Sequence, residues 1–151
     1  MFEEELYVLA SPQIGTGREK TLPLSALDGV PLLLPSRIHT IRRLVDTAFE
    51  RYGLTPNVVA EIESATTLAS AVDAGIGATI LPLSSALSMT ETQHRASGRD
   101  LAATRITDPE LKARVSICLP DQFVPSEAAQ AVHQMVVELV RASPFSMLDN
   151  Q

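Results

Sequence analysis

The sequence contains no tryptophan, a single cysteine and no long apolar run, and each of these shortages excludes a class of protein. Cys118 has no partner cysteine in the chain, so neither an internal disulfide nor a thiolate metal cluster can form. No stretch approaches the ~18 apolar residues that span a membrane, and no secretory leader pattern is present. We therefore expect a cytoplasmic protein that needs no metal ion or cofactor.

Basic residues are too few and too scattered for a nucleic-acid surface. The chain has 12 Lys and Arg against 18 Asp and Glu, which gives a formal net charge of -6 at pH 7. A surface that follows a phosphate backbone needs clustered cations. The densest basic group is Arg37, Arg42 and Arg43, which we interpret mostly as a solvated helix face. We do not expect this chain to bind DNA by itself.

Aliphatic side chains are abundant instead. Hydrophobic residues make up 45% of the 151 residues while aromatic residues make up 4%, so the core consists of Leu, Val, Ile and Ala. Such a composition suits a β-sheet covered by helices. The length allows one ordinary domain, or one domain and a fraction of another.

The clearest structural signal is the segment 58–82, which reads VVAEIESATTLASAVDAGIGATILP. Its first apolar run predicts a strand that is buried on both faces. Apolar residues at helical spacing follow, with Ser64 placed to cap the first turn and Gly75 just past the last. A second buried strand, ATILP, comes next. Open parallel sheets bind small molecules where strands end and helices begin, so this segment indicates a ligand-binding function.

Similar patterns occur along the rest of the chain. A helix is predicted over residues 38–52 and another over residues 126–142, whereas residues 83–100 show only weak helical turns. The alternation of strands and helices predicts a mainly parallel sheet with right-handed crossovers. The further predicted strands are EELYVLAS (4–11), PLLLP (31–35), LAATRI (101–106) and ARVSICLP (113–120).

Catalytic constellations are mostly absent. The three histidines are far apart in sequence and lack metal-ligand spacing. Glu61 and Glu63 alternate around a strand end, and we do not interpret them as a carboxylate pair. Gly75, Gly77 and Ala78 resemble part of a dinucleotide fingerprint. They stand between a helix and a strand, however, and the fingerprint needs the reverse order, so a helix C-cap and a tight turn is the better interpretation.

Two predicted helix starts could bind an anion. Ser36 and Arg37 follow the strand PLLLP. Ser64 and Thr66 follow the strand VVAEI. Because both segments come after parallel strands, both helix starts should open toward one crevice and offer backbone N–H and hydroxyl donors to a carboxylate. Both are also ordinary N-caps, so a purely structural interpretation stays open beside the functional one.

The order of the sequence motifs carries a family resemblance. The chain contains, in this order, EELYVLAS, PLLLPSR, IRRLVDTAFERYGLTPNVVAEIES, AVDAGIGATILP and ARVSICLP followed by a helix, over residues 4–142. In this combination they resemble the C-terminal part of the effector-binding domain of LysR-type transcriptional regulators. LLLPSR and VVAEIES are similar to the nitrogen-assimilation-control branch of that family.

The resemblance implies an α/β fold of the periplasmic-binding-protein-like (type II) kind. This is a Rossmann-like three-layer sandwich, here with one complete subdomain plus the closing strand and helix of a second. Residues 1–120 would form regulatory subdomain II, with crossing strands near 4–10 and 113–119. Residues 121–151 would hold the C-terminal helix of an incomplete regulatory subdomain I, plus a tail. By matching position, the residues that face the effector cleft would be Ser36, Arg37, Ser64, Thr66, Gly77 and Thr79.

The resemblance also implies the partners of the chain. A small anionic effector would bind between the subdomains, the chain would form a homodimer or a higher homo-oligomer, and DNA would be bound only through a winged helix-turn-helix that this sequence lacks. The chain would thus be an effector-sensing fragment and not an enzyme. The alternatives are a solute-binding protein and a small-acid enzyme on the same fold. The enzyme would need Glu63, Asp73 or Asp100 as its acid or base.

The last helix should have an uncovered apolar face. In the family this helix covers the sheet of the first subdomain, and most of that sheet would precede residue 4. Val132, Val136, Leu139 and Val140 would then lack their usual partner, and exposed apolar faces favour association. We expect residues 126–142 to pack on another copy of the chain or on a displaced part of the same chain.

Overall fold

The computed structural model describes residues 2–16, 19–119 and 124–142, which divide into two units. The larger unit comprises residues 5–113, and the smaller one combines residues 1–4 with 114–151. The strands are β1 (Phe2–Ala10), β2 (Thr21–Pro23), β3 (Leu32–Leu34), β4 (Val58–Glu61), β5 (Thr79–Pro82), β6 (Ala102–Thr107) and β7 (Lys112–Val115). The helices are α1 (Thr40–Arg51), α2 (Ala65–Asp73), α3 (Leu83–Ser97) and α4 (Glu127–Ala142).

One strand of the sheet runs against its neighbours. β1 pairs antiparallel with β5 on one side and with β6 on the other, and β7 also pairs with β1. β6 pairs parallel with β2, β3 pairs parallel with β4, and Leu32 forms a parallel bridge with Ala78 just before β5. The strands β2 to β6 therefore share one direction, and β1 is the exception. The prediction of a mainly parallel sheet did not include this reversal, because an apolar run predicts a buried strand but not its direction.

Helices pack on both faces of the strands, as the predicted three-layer α/β fold requires. On one side, α1 contributes Val45 and Phe49 to an apolar cluster that includes Leu32 and Leu34. On the other side, α2 and α3 pack around Leu33. Successive residues of a strand point to opposite faces, so the three leucines of β3 connect the two clusters.

Helix ends follow the sequence signals at several points. At the start of α2, the Ser64 hydroxyl accepts the N–H of Thr67 at 3.4 Å, as predicted. Gly75 follows the helix with φ 73°, a left-handed conformation that glycine adopts without a steric penalty. At the start of α4, the Ser126 hydroxyl accepts the N–H of Ala129 at 3.2 Å. The predicted extents of both helices are confirmed.

Two segments differ from their predictions. Residues 83–100 contain the 15-residue helix α3 rather than weak turns. Its buried residues are Ala86, Met89 and Gln93. Because Ala86 is small and Gln93 is polar, the sequence lacks the strong apolar periodicity that predicts a helix. β4 is an edge strand rather than a strand buried on both faces: in the described part of the chain it pairs with β3, and Val59 is 49% exposed.

The helix α1 begins later than the sequence pattern predicted. After β3 the chain forms a turn, in which the N–H of His39 donates to the carbonyl oxygen of Ser36 at 3.1 Å. Ile38, expected on the buried face of the helix, is 83% exposed. The helix itself starts at Thr40. The carboxyl end of β3 is thus followed by a tight turn, and the N–H of Ser36 in this turn faces Glu63 in the segment after β4.

The smaller unit contains the helix α4 and the outer parts of two strands. None of the residues of α4 is buried, and its apolar residues Val132, Met135, Val136 and Leu139 are exposed at helical spacing. Val132, Val136 and Leu139 of the predicted uncovered face are therefore exposed, whereas Val140 is half-buried. β7 ends at Val115, so it is shorter than the strand predicted to residue 120. Within the described residues, no helix combines the length and the apolar character needed to cross a membrane.

Gly77 is held by close packing, and its replacement should show this. A Cβ atom added at Gly77 would lie 2.7 Å from the carbonyl oxygen of Pro31 and 3.0 Å from Cγ of Leu33. That carbonyl accepts the N–H of Ala78 at 2.8 Å, so the backbone cannot retreat without loosening the bridge between β3 and β5. Gly77→Ala should lower the free energy of unfolding by about 1–3 kcal/mol. Urea denaturation measures this, with the surface change Ser85→Ala expected to stay within about 0.5 kcal/mol. Equal stabilities of the two variants would show that the strands adjust freely.

Candidate functional site

The carboxyl ends of β3 and β4 meet at one edge of the sheet. Leu34 is paired with Glu61, and the N–H of Ile62 donates to the carbonyl oxygen of Leu34 at 3.0 Å. The segments that follow the two strands therefore continue side by side. The backbone N–H of Ser36 donates to Oε1 of Glu63 at 3.0 Å. The two segments that were predicted to open toward one crevice are in direct contact.

Glu63 is the centre of this contact. Its Oε1 accepts the Ser36 N–H, and its Oε2 lies 2.6 Å from Nε2 of His39. Hydrogen bonds from the side chain and the backbone of Ser36 hold the pKa of Glu63 below its ordinary value, and His39 adds to the effect. Glu63 is therefore an ionised carboxylate at neutral pH, and the turn after β3 supplies its hydrogen-bond donors.

Arg42 fixes the position of these segments from within. Its side chain is 4% exposed. Nε donates to both carboxylate oxygens of Asp46 at 3.0 and 3.1 Å, and Nη1 donates to Glu61 at 2.9 Å and to the carbonyl oxygen of Pro35 at 3.0 Å. Burial lowers the pKa of Arg42, but the hydrogen bonds to Asp46 and Glu61 outweigh that effect and raise it. The prediction that this arginine belongs to a solvated helix face is wrong, because it links the ends of β3 and β4 to α1.

A cleft of about 740 Å³ opens beside Glu63, between α2 and α3. One end is formed by Pro35, His39 and Glu63, and buried apolar side chains such as Leu68 and Met89 line its floor. No lysine or arginine among the residues that the structure describes lines the cleft, so these walls offer neutral donors rather than fixed positive charge. The hydroxyl-bearing residues that line it are Thr66, Ser70, Ser84, Ser85, Ser88, Thr92 and Ser97.

Three of the six predicted site residues gather at this edge. Thr66 lines the cleft from the first turn of α2. Ser36 donates to Glu63, and Ser64 is the chain neighbour of Glu63 whose hydroxyl caps α2. Arg37 lies nearby on the turn after β3, but it faces a different direction. Its side chain is 80% exposed, its Nε is 3.9 Å from Asp46, and it lines an open groove beside β4 and α1.

The other two predicted site residues are not brought to the same place. Gly77 and Thr79 lie at the amino end of β5, whereas Ser36 lies beyond the carboxyl end of the parallel strand β3. Gly77 is buried against Pro31, and Thr79 is fully buried with a hydroxyl that has no hydrogen-bond partner among the described atoms. Contact between these two residues and an effector stays a prediction.

Sequence reasoning missed Glu63, His39 and the hydroxyl groups of α3 as members of the site. Glu63 was considered as a possible partner of Glu61 and as an acid or base of an enzyme, but not as a member of the binding site. Glu61 and Glu63 do have different partners, Arg42 and Ser36. An available signal was the position of Glu63 just before a helix N-cap, where the helix dipole favours an acidic side chain. His39 could not be found from sequence, because its place beside Glu63 depends on the pairing of β3 with β4.

The carboxylates that an enzyme would need are separated. Asp73 is 3.6 Å from Arg99, and Asp100 is 2.7 Å from Nδ1 of His94. Neither of these aspartates lines the cleft beside Glu63. Within the described residues, no group of three or more His, Cys, Asp or Glu is placed to hold a metal ion. Glu63, the third candidate, does line the cleft, and its carboxylate is held by the N–H of Ser36 and the ring of His39.

The family model described as LysR substrate binding domain matches residues 1–141. The chain belongs to this family, which confirms the resemblance seen in its motifs. Among individual proteins, it is similar to the nitrogen assimilation regulatory protein Nac of Escherichia coli K12, with 33% identity over 121 residues. The match covers 80% of this chain and 38% of Nac, so the chain spans less than half the length of this relative.

Solved structures agree on the fold. The effector-binding domain of QuiR in complex with shikimate superposes with a TM-score of 0.68 and 16% identity, covering 91% of this chain and 62% of that one. The regulatory domain of CcmR from Synechocystis PCC6803, in complex with 2-PG, gives a TM-score of 0.66 and 15% identity over 93% of this chain and 65% of that one. The predicted periplasmic-binding-protein-like α/β fold is confirmed. The relatives are transcriptional regulators, not enzymes, as predicted.

The contact between Ser36 and Glu63 should make stability depend on pH in a defined direction. The lowered pKa of Glu63 means that folding favours its ionised form. The contribution of Glu63 to the free energy of unfolding is fully present above the ordinary pKa of 4.5. It is lost as the pH falls through the lower pKa of the folded state. Glu63→Gln should therefore be less stable than the parent chain at pH 7, and the difference should shrink below pH 4.5.

Urea denaturation at pH 7 and at steps below pH 4.5 measures this effect. Glu91→Gln is the matched control, because it removes the same charge from α3, where Glu91 pairs with Arg95. A stability difference for Glu63→Gln that is unchanged across this pH range would contradict the role of Ser36 and His39 in binding the carboxylate.

Proposed function

We propose that this chain is the effector-sensing part of a LysR-type transcriptional regulator and that it binds a small anionic metabolite, such as a carboxylate, at the carboxyl edge of β3 and β4. One observation carries the proposal. The turn after β3 already holds a carboxylate, that of Glu63, between the backbone N–H of Ser36 and the ring of His39. A donor set that binds one carboxylate is suited to bind another.

The first turn of α2 adds further donors. The backbone N–H groups at the start of a helix have no partner within the helix, and the helix dipole stabilises a nearby anion by ~0.3–1 kcal/mol. Ser64 satisfies the N–H of Thr67, whereas the N–H groups of Ala65 and Thr66 have no partner within the helix, and both residues line the cleft. The ligands of the structural neighbours, shikimate and 2-PG, support a small metabolite as the ligand class.

The proposed effector contacts follow from these positions. Ser36, Ser64 and Thr66 would supply hydroxyl or backbone donors, and Arg37 would supply a guanidinium on a long exposed side chain. Contact of the effector with Gly77 and Thr79, which are buried at the amino end of β5, stays a part of the proposal.

We extend the proposal to a full-length regulator, since this chain matches only part of the length of its relative Nac. Residues 1–120 would form regulatory subdomain II with its crossing strands, and residues 121–151 would belong to regulatory subdomain I. The effector would bind between the two subdomains in the cytoplasm. A winged helix-turn-helix domain outside this sequence would bind DNA, and effector binding would change how it does so. Such coupling requires two conformations that the effector distinguishes, typically by ~1–3 kcal/mol.

We further propose that the protein is a homodimer or a higher homo-oligomer. Helix α4 exposes Val132, Met135 and Leu139 by 60%, 60% and 64%, and Val136 completes the same stripe. An apolar stripe of this kind favours association, since burying each large aliphatic side chain gains ~1.5–3 kcal/mol. In this chain, a second copy would cover the stripe.

The hydroxyl of Thr66 should contribute to anion binding. Thr66→Val keeps the shape of the side chain and removes one hydrogen-bond donor, so the Kd for acetate should rise by about 2- to 10-fold. Titration of the isotope-labelled chain with sodium acetate at pH 7, following amide NMR signals near Ser36 and Ser64, measures this Kd. Thr55→Val, on an exposed residue outside the cleft, is the control. Equal Kd values for all three proteins would remove Thr66 from the site.

The apolar stripe of α4 should drive self-association. Leu139→Glu places a charge in the stripe and should shift the chain toward the monomer in sedimentation velocity. Gln134→Glu adds the same charge on the opposite side of the helix and should leave the distribution unchanged. A parent chain that sediments as a monomer at all tested concentrations would contradict the proposed role of α4.

A further inference from the structure

The cleft that we assign to an anionic effector contains a carboxylate of its own. Within the described part of the chain, its lining includes Glu63 and no lysine or arginine. The nearest buried cation, Arg42, is committed to Asp46, Glu61 and the carbonyl oxygen of Pro35. An incoming acid therefore finds no unused buried positive charge at this end of the cleft. The N–H of Ser36 and the ring of His39, which are the donors at the Glu63 end of the cleft, already serve Glu63.

Glu63 is held in a way that allows it to leave. Its side chain is 54% exposed, and that of His39 is 49% exposed. Rotation of the Glu63 carboxylate into water would leave neither a buried charge nor a cavity. Glu61 provides the contrast, because it is bound by a guanidinium that is 4% exposed, and its departure would leave that buried charge with one fewer partner.

We propose that Glu63 is a built-in competitor of the effector, and that it occupies the donors of Ser36 and His39 until an acid group displaces it. This inference rests on the proposed function and adds a specificity-determining residue to it. Two carboxylates cannot share one backbone N–H and one imidazole at close range, because their charges repel each other. The two therefore occupy the donors alternately, and Glu63 sets the minimum affinity that an acid needs in order to bind.

The competition acts selectively on acids. An effector that presents only hydroxyl groups to the cleft does not need the donors of Ser36, so Glu63 can stay in place while such a ligand binds. A carboxylate ligand must pay the free energy of displacing Glu63 before it gains its own hydrogen bonds. Removal of the Glu63 carboxylate should thus favour acids and leave neutral polyols unaffected.

The test compares the Kd for acetate of the parent chain, Glu63→Ala and Glu63→Gln by NMR titration at pH 7, with the Ser36 amide as the reporter. We expect Glu63→Ala to bind acetate about 10-fold more tightly, since a charge-assisted hydrogen bond is released for the ligand. Glu63→Gln should gain less, because its amide oxygen can still accept the Ser36 N–H. Glycerol, a neutral probe, should show no difference among the three proteins.

A control variant separates competition at Ser36 and His39 from the general electrostatic effect of removing one negative charge. Glu91→Gln removes one negative charge from α3, where Glu91 pairs with Arg95, without touching Ser36 or His39. Screening by salt should keep its effect on acetate binding within about 2-fold. Amide spectra of each variant without ligand show whether the fold is retained. Any variant with changes beyond the residues around Glu63 is replaced by Glu63→Asp, whose shorter carboxylate should give an intermediate Kd.

Each outcome decides between the two proposals. Tighter acetate binding in Glu63→Ala, with Glu91→Gln unchanged, supports both. Acetate binding that is equal in the parent and in Glu63→Ala overturns the competition and leaves the proposed site intact. Weaker binding in Glu63→Ala also overturns it and shows that Glu63 assists the ligand. If acetate shifts the Ser36 amide in none of the proteins, the anion site fails and the competition fails with it.

Discussion

The parallel pairing of β3 with β4, fixed by Arg42, is the constraint on which the site depends. The pairing places Leu34 opposite Glu61, so whatever follows each strand must lie side by side. Arg42 then joins both strand ends to α1 through Pro35, Glu61 and Asp46. Two strands of three and four residues would hold the segments that follow them only loosely. The buried guanidinium adds charge-assisted hydrogen bonds that define the relative position of these two segments.

The local chemistry of the site follows from that placement. Once the turn after β3 lies beside the start of α2, its free backbone donor needs an acceptor, and Glu63 is the acidic residue in reach. The cleft between α2 and α3 begins at this point and continues along hydroxyl-bearing side chains. This arrangement underlies our proposal that Glu63 competes with an acidic effector for the donors of Ser36 and His39.

Several elements could be predicted from sequence because their signals are local. Ser64 and Gly75 mark the ends of α2, and the periodicity of residues 126–142 identifies α4 and its apolar stripe. α3 escaped prediction because Ala86 and Gln93 occupy its buried side, so its place was decided by packing rather than by pattern. The start predicted for α1 was too early for a related reason. Ile38 fits the helical spacing, but residues 36–39 form a turn that is closed by the hydrogen bond from the N–H of His39 to the carbonyl oxygen of Ser36, and the helix begins only after it.

The sequence by itself determined the family, the α/β class and the two segments that follow β3 and β4, because these depend on short motifs and on residues close together along the chain. Only the tertiary structure decided which predicted residues meet. It brought Ser36, Ser64 and Thr66 to one edge, buried Gly77 and Thr79 elsewhere, and placed His39 beside Glu63. The physical reason is that the pairing and direction of strands bring together residues distant in sequence, and no local pattern of side chains encodes that geometry.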